Sequence, residues 1–240
     1  MAVQLKTIHR FVVSQSVYPL VLSTLLALGI LAGRIFLART WNHANLVWNL
    51  FLAWIPYVCS LAAYAIYQLN PKQWLLLVPI TAIWLLFFPN APYIITDFLH
   101  LQERPPIPLW YDIGLIATFA WTGFFLGIVS LRTMQFIVKK YLGGIVGWVF
   151  AVSALLLSGL GIYLGRFGRF NSWDMFFSPI SVLRDILERF SSAYSILHLI
   201  AFTSIFTGVL FVTYLMFVSI RSLETKKDHR LAAEDSSQNP

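Results

Sequence analysis

The chain has 240 residues, of which 58% are hydrophobic and only 11% charged, where a soluble domain carries roughly 25% charge. With mean hydropathy +0.73, this composition excludes a soluble monomer: too few polar residues exist to cover a water-facing surface, so lipid must cover it. The net charge of +7 is spread over connections at both ends of the apolar runs, which suits membrane topology and anionic headgroups and excludes nucleic acid as a partner.

A membrane helix needs about 20 apolar residues. Six runs qualify, at 17–37, 46–69, 74–95, 113–131, 145–164 and 196–220. Lys6 and Arg10 precede the first run, which continues past the length of a signal peptide's apolar region and reads as an uncleaved anchor. The single cysteine, Cys59, lies inside the second run, so it reads as a small apolar side chain and no intrachain disulfide or Cys metal motif exists. Between the last two runs, Ser178–Pro179 supplies a helix cap and first turn for a segment at about 179–190. Its apolar stripe of Leu183, Ile186, Leu187 and Phe190 opposes Arg184, Asp185, Glu188 and Arg189, the pattern of an interfacial amphipathic helix.

The expected fold class is therefore all-α, a polytopic transmembrane helical bundle of about six spans plus that interfacial helix. Residues 1–220 form a single integral membrane domain, and 221–240, charged and ending in Ser-Ser-Gln-Asn-Pro, are expected to be a disordered tail. Lys and Arg number ten on the side of the termini and seven on the other, so the plasma membrane would hold the protein with both ends in the cytoplasm. Glycines four apart at Gly29/Gly33, Gly123/Gly127 and Gly143/Gly147 signal close helix packing.

Polar residues gather at the opposite, outer pole. All ten acidic residues lie at or beyond Asp97, and Asp97, Asp112 and Asp174 fall at span ends there, with Arg34, Arg39, His43 and His100. Asn42, Asn45 and Asn49 share one helix face descending into the second span. The run Phe88–Pro89–Asn90–Ala91–Pro92–Tyr93 interrupts the third span after only 15 residues, about 22 Å of helix, so prolines break it at membrane depth, either as a kink or as irregular backbone lining a cavity. Asp97 and His100, three apart, would share a helical face and with Asp112 form a weak candidate metal site. Asp112 has a simpler reading, which is to cap the positive end of the fourth span. Arg166 and Arg169, three apart in a Gly- and aromatic-rich segment that ends in Asn171 and Asp174, could clamp an anion.

Three motifs, Phe88 to Asp97, Trp110–Tyr111–Asp112, and Gly161-Ile-Tyr-Leu-Gly-Arg166 with Asn171-Ser-Trp-Asp174, together resemble the bacterial membrane family catalogued as domain of unknown function 1361, over roughly residues 45–220. The resemblance implies a multi-pass membrane protein and no assigned reaction.

Three functions compete on this reading. The leading expectation is a non-catalytic assembly or accessory membrane subunit, with Asp–Arg pairs locking helix ends and membrane lipids and other membrane proteins as partners. The alternative is an outer-face enzyme in which Asp97, His100, Asp112 and Asp174 are the catalytic candidates and a divalent metal the candidate cofactor. Asn45, Asn49, Asn90, Tyr93, Tyr111, Arg166, Arg169 and Asn171 would then hold an anionic or lipid-linked substrate. The third is a small-solute transporter using the broken third span. No redox cofactor signature is visible, and haem on His43 or His100 has no motif behind it.

Overall fold

The computed structural model describes residues 15–189 and 192–238. Its helices are α1 (Val17–Ala38), α2 (Asn45–Leu69), α3 (Leu77–Phe87), α4 (Asn90–Tyr93), α5 (Leu109–Leu142), α6 (Gly144–Tyr163), α7 (Asp174–Phe177), α8 (Pro179–Arg189) and α9 (Ala193–Gln238). A 3-10 turn at Trp74–Leu76 leads into α3, a second at Ile94–His100 follows α4, and a π turn at Leu164–Gly168 ends α6. Six helical segments are long and apolar enough to cross a membrane: Val17–Ala38, Asn45–Leu69, Trp74–His100, Leu109–Leu142, Gly144–Gly168 and Ala193–Ile220. Each begins within a few residues of a run read from the sequence.

The organising element is α5. Its 34 residues span about 51 Å, and it packs against α1, α2, α4 and α6. Leu115, Ile116, Phe119 and Leu126 of α5 interlock with Leu31, Leu46 and Tyr57 in one core. Trp84, Leu131, Met134 and Tyr214 centre a second core that joins α3, α5, α6 and α9. Large apolar side chains such as Leu22, Phe51, Leu156 and Ile205 are exposed on the outside, where acyl chains would cover them.

Proline interrupts the third span without unravelling it. Phe88 and Pro89 keep right-handed helical dihedrals, as does Ile94, and the chain tightens into the 3-10 turn that carries Asp97. The backbone thus stays helical through the prolines, and the span runs on to His100 instead of ending at them. The missing proline N–H groups are absorbed by the change of helical pitch.

Beyond the last span, α9 runs on as helix to Gln238, in a stretch rich in the helix formers Leu, Glu, Lys, Arg and Ala. Of the three glycine pairs, Gly123 and Gly127 both lie close against Ala91, while Gly33 meets the Tyr111 hydroxyl and Gly147 packs on Lys139 of α5. Gly29 faces open space, whereas Gly143, at φ +92°, caps α5 and lets the chain turn into α6.

The amphipathic helix is present as α8. Val182 is buried and packs with Ile186 against Tyr163 and Leu199, while Leu183 and Leu187 stay exposed beside them. Of the expected stripe, Ile186 docks on the bundle beside Val182, while Leu183 and Leu187 face outward. Phe190 lies outside the described residues.

Candidate functional site

Arg34 and Asp112 form the most deeply buried ion pair at the polar pole. Arg34 Nε donates to Asp112 Oδ1 at 2.5 Å and Nη2 to Oδ2 at 3.0 Å, with side-chain exposures of 0% and 1%. A charged group in the last turns of an apolar helix must find a partner, and the first turn of α5 supplies it. Asp112 lies in the first turn of α5, where a negative charge suits the helix dipole, and both of its carboxylate oxygens accept from Arg34 across the helix boundary. Tyr111, next to it, donates its hydroxyl to the Ile30 carbonyl at 2.8 Å. This hydrogen bond also joins α1 to α5.

His43 sits on the same carboxylate, with Nε2 3.5 Å from Asp112 Oδ2, on a residue held at φ 68°. Burial is the main cause that lowers its pKa below the usual histidine value; Asp112 opposes this, and the positive charges of Arg34 and Arg104 reinforce it. A depressed value means that the unfolded chain takes up this proton before the folded one does. Stability should therefore fall as pH drops below about 6.5, the ordinary histidine value, and be unaffected by this group above it. Thermal unfolding followed from pH 7 to pH 5 should show that decline in the wild type. It should be shallower in His43→Gln; equal slopes would mean that His43 is not the group responsible.

Asp97 is held by a second set. Asn49 Nδ2 donates to its Oδ2 at 3.0 Å, and Arg166 Nη1 lies 3.5 Å from Oδ1. Arg166 Nη2 also donates to the Thr96 carbonyl at 2.7 Å. The π turn after α6 places Arg166 there, with Gly165 close against the Tyr93 ring. Asp97 is buried while His100 is exposed; the 3-10 turn, with three residues per turn, keeps them on one side of the chain, Asp97 at the bundle and His100 at its edge. Asp174 accepts from the Asn171 backbone N–H at 2.6 Å, a local turn.

Among the described residues, no three His, Cys, Asp or Glu side chains are grouped to hold a metal ion. Asp97 and Asp112 are each paired with an arginine of their own and Asp174 is engaged by Asn171, so the candidate Asp97, His100, Asp112 metal set is not assembled as a group.

The other candidates converge differently. A cavity of about 680 Å³ opens between α2, the α3–α4 kink, the end of α6 and the loop before α7. Its polar rim is built from Asn49, Asn90, Tyr93, Arg169, Asn171 and Ser172, and its depth is walled by Leu52, Leu85, Leu86, Leu157 and Leu160. Asn90 is fixed at the kink, donating to the Phe87 carbonyl at 2.9 Å and to Ser172 Oγ at 2.7 Å. Gly161 permits the wall to form, because a Cβ there would lie 2.7 Å from the Pro89 ring.

Of the predicted ligand-binding residues, Asn49, Asn90, Tyr93, Arg169 and Asn171 line this cavity, whereas Asn45, Tyr111 and Arg166 do not. Sequence reasoning passed over Arg34 and His43 as site residues, although a lone arginine inside an apolar run is itself the signal of a buried partner. Ser172 carried no signal of its own, since only the kink brings Asn90 to it.

The family described as Protein of unknown function (DUF1361) matches residues 48–212. No curated protein matches the chain, and no solved structure does.

Proposed function

The chain belongs to the DUF1361 family, whose description assigns no reaction, and we propose that the protein is a non-catalytic accessory protein of the plasma membrane that holds an amphiphilic molecule at its outer pole. The observation that carries this reading is the separation of two polar assemblies. The carboxylates suited to acid, base or metal chemistry are engaged in the Arg34–Asp112 and Arg166–Asp97 pairs. The cavity beside them is lined by amide, hydroxyl, guanidinium and leucine side chains, with no Asp, Glu or His among its lining residues. Such a lining binds and orients; it offers no general acid or base near neutral pH. A volume of about 680 Å³ falls within the range of small-molecule sites, which runs to about 1,000 Å³. A polar rim over an apolar depth suits a molecule with a head and a chain. Placing this pole outside follows from the excess of Lys and Arg on the side of the termini.

Native mass spectrometry of the full chain tests the proposal. The wild type, purified gently from membranes, should carry about one amphiphile per chain, as a single-site cavity predicts. Leu86→Trp, which fills the cavity from its apolar wall, should release it while thermal stability stays within a few degrees. Wild-type protein free of bound amphiphile, or retention unchanged by Leu86→Trp, would refute the proposal.

A further inference from the structure

We propose that the cavity is selective for an anionic headgroup that also carries hydroxyls, of the phosphoglycerol type, with Arg169 as the group that selects it; this rests on the reading of the cavity as an amphiphile site. Arg166 and Arg169 look equivalent in sequence, but the structure divides their work. Arg166 is used up on Asp97 and the Thr96 carbonyl. Arg169 lines the cavity, and among the described residues it has no ion-pair partner. At φ 57°, it is the left-handed residue that ends the π turn after α6. No acidic residue lines the cavity, and the exposed Arg169 at its rim offers forked donors that match a phosphate.

The asparagines set the rest of the headgroup. Asn90 spends its amide N–H groups on the Phe87 carbonyl and Ser172 Oγ. Asn49 donates its Nδ2 to the Asp97 carboxylate. Because a carbonyl and a carboxylate only accept, these partners fix which end of each amide is nitrogen. No described donor reaches the amide oxygen of either residue, so each remains available as an acceptor for a ligand hydroxyl. Ser172, which accepts from Asn90, keeps its own O–H to donate toward an anion. A headgroup with phosphate and hydroxyls meets all of these groups. A phosphocholine head would bring a cation beside Arg169 and no donor for the amide oxygens. The apolar wall of Leu52, Leu85, Leu86, Leu157 and Leu160 takes the chain.

The test is native mass spectrometry on delipidated full-length protein titrated separately with phosphatidylglycerol, phosphatidylcholine and free glycerol 3-phosphate. The comparison is among wild type, Arg169→Gln and Arg184→Gln, the last removing an exposed arginine from α8. Wild type should prefer phosphatidylglycerol over phosphatidylcholine by roughly 10-fold, the effect of one charge-assisted contact. Arg169→Gln should erase most of that preference with melting temperature unchanged, and Arg184→Gln should retain it. Free glycerol 3-phosphate binding with the same Arg169 dependence would support the headgroup chemistry and identify a water-soluble source. Equal binding of the two lipids by wild type, or a preference that survives Arg169→Gln, would overturn the selectivity and leave the amphiphile site standing. Failure of wild type to bind either lipid would overturn both.

Discussion

Asp112→Asn is expected to lower the stability of this protein by about 3–5 kcal/mol, the usual consequence of leaving one member of a buried ion pair uncompensated. Arg34 is fully buried and Asp112 nearly so, and the two hydrogen bonds between them tie the end of α1 to the start of α5. Removing the carboxylate charge strands a guanidinium in a place that water does not reach. Because Nη1 of Arg34 already lacks a hydrogen-bond partner among the described residues, the pair is imperfectly satisfied even in the wild type. Replacing both partners, as in Arg34→Met with Asp112→Leu, should therefore recover most of the loss, since apolar residues of similar size do not need the charge balanced. Denaturant unfolding in detergent of the two single variants and the double variant completes the cycle. A single-variant loss below about 1 kcal/mol, the value of an exposed pair, would show that water screens this site and that the pair does not lock the helices.

Gly123→Ala should destabilise by about 1–3 kcal/mol, the cost of overpacking. Glycine in a helix interior is intrinsically worse than alanine by about 1 kcal/mol, so propensity alone predicts the opposite sign. The tertiary contact decides it: a Cβ at Gly123 would lie 2.5 Å from the Ala91 carbonyl oxygen and 2.8 Å from Ile94 Cδ1. The first of these is backbone and can give way only if α4 moves off α5. Gly114→Ala supplies the internal control in the same helix, because its added Cβ meets nothing within 4 Å. It should leave stability unchanged or raise it by up to about 1 kcal/mol. Since α4 carries Asn90 and Tyr93 of the cavity rim, Gly123→Ala should also weaken amphiphile retention, whereas Gly114→Ala should not. Thermal unfolding and native mass spectrometry on the same two variants read both effects. A Gly123→Ala protein as stable as Gly114→Ala would mean that the α4–α5 crossing is slack.

The sequence by itself determined the class of molecule and nearly every span. Six apolar runs of membrane-crossing length leave few alternatives, because unpaired backbone in lipid is so costly that helix is the default, and the amphipathic segment at 179–190 is a local pattern needing no knowledge of neighbours. It also determined that polar residues collect at one pole, since charge is tolerated only at span ends. Which polar residue meets which was beyond it. Arg34 and Asp112 are 78 positions apart, and Arg166 differs from Arg169 only through the π turn that directs the first to Asp97 and the second to the cavity. Asp97 and His100 are three apart on a 3-10 turn, yet Asp97 takes its close partners from distant Asn49 and Arg166, which local spacing does not reveal. Partner choice depends on helix crossings set by close contacts such as Gly123 on Ala91, and those are properties of two surfaces together, which no single stretch of chain encodes.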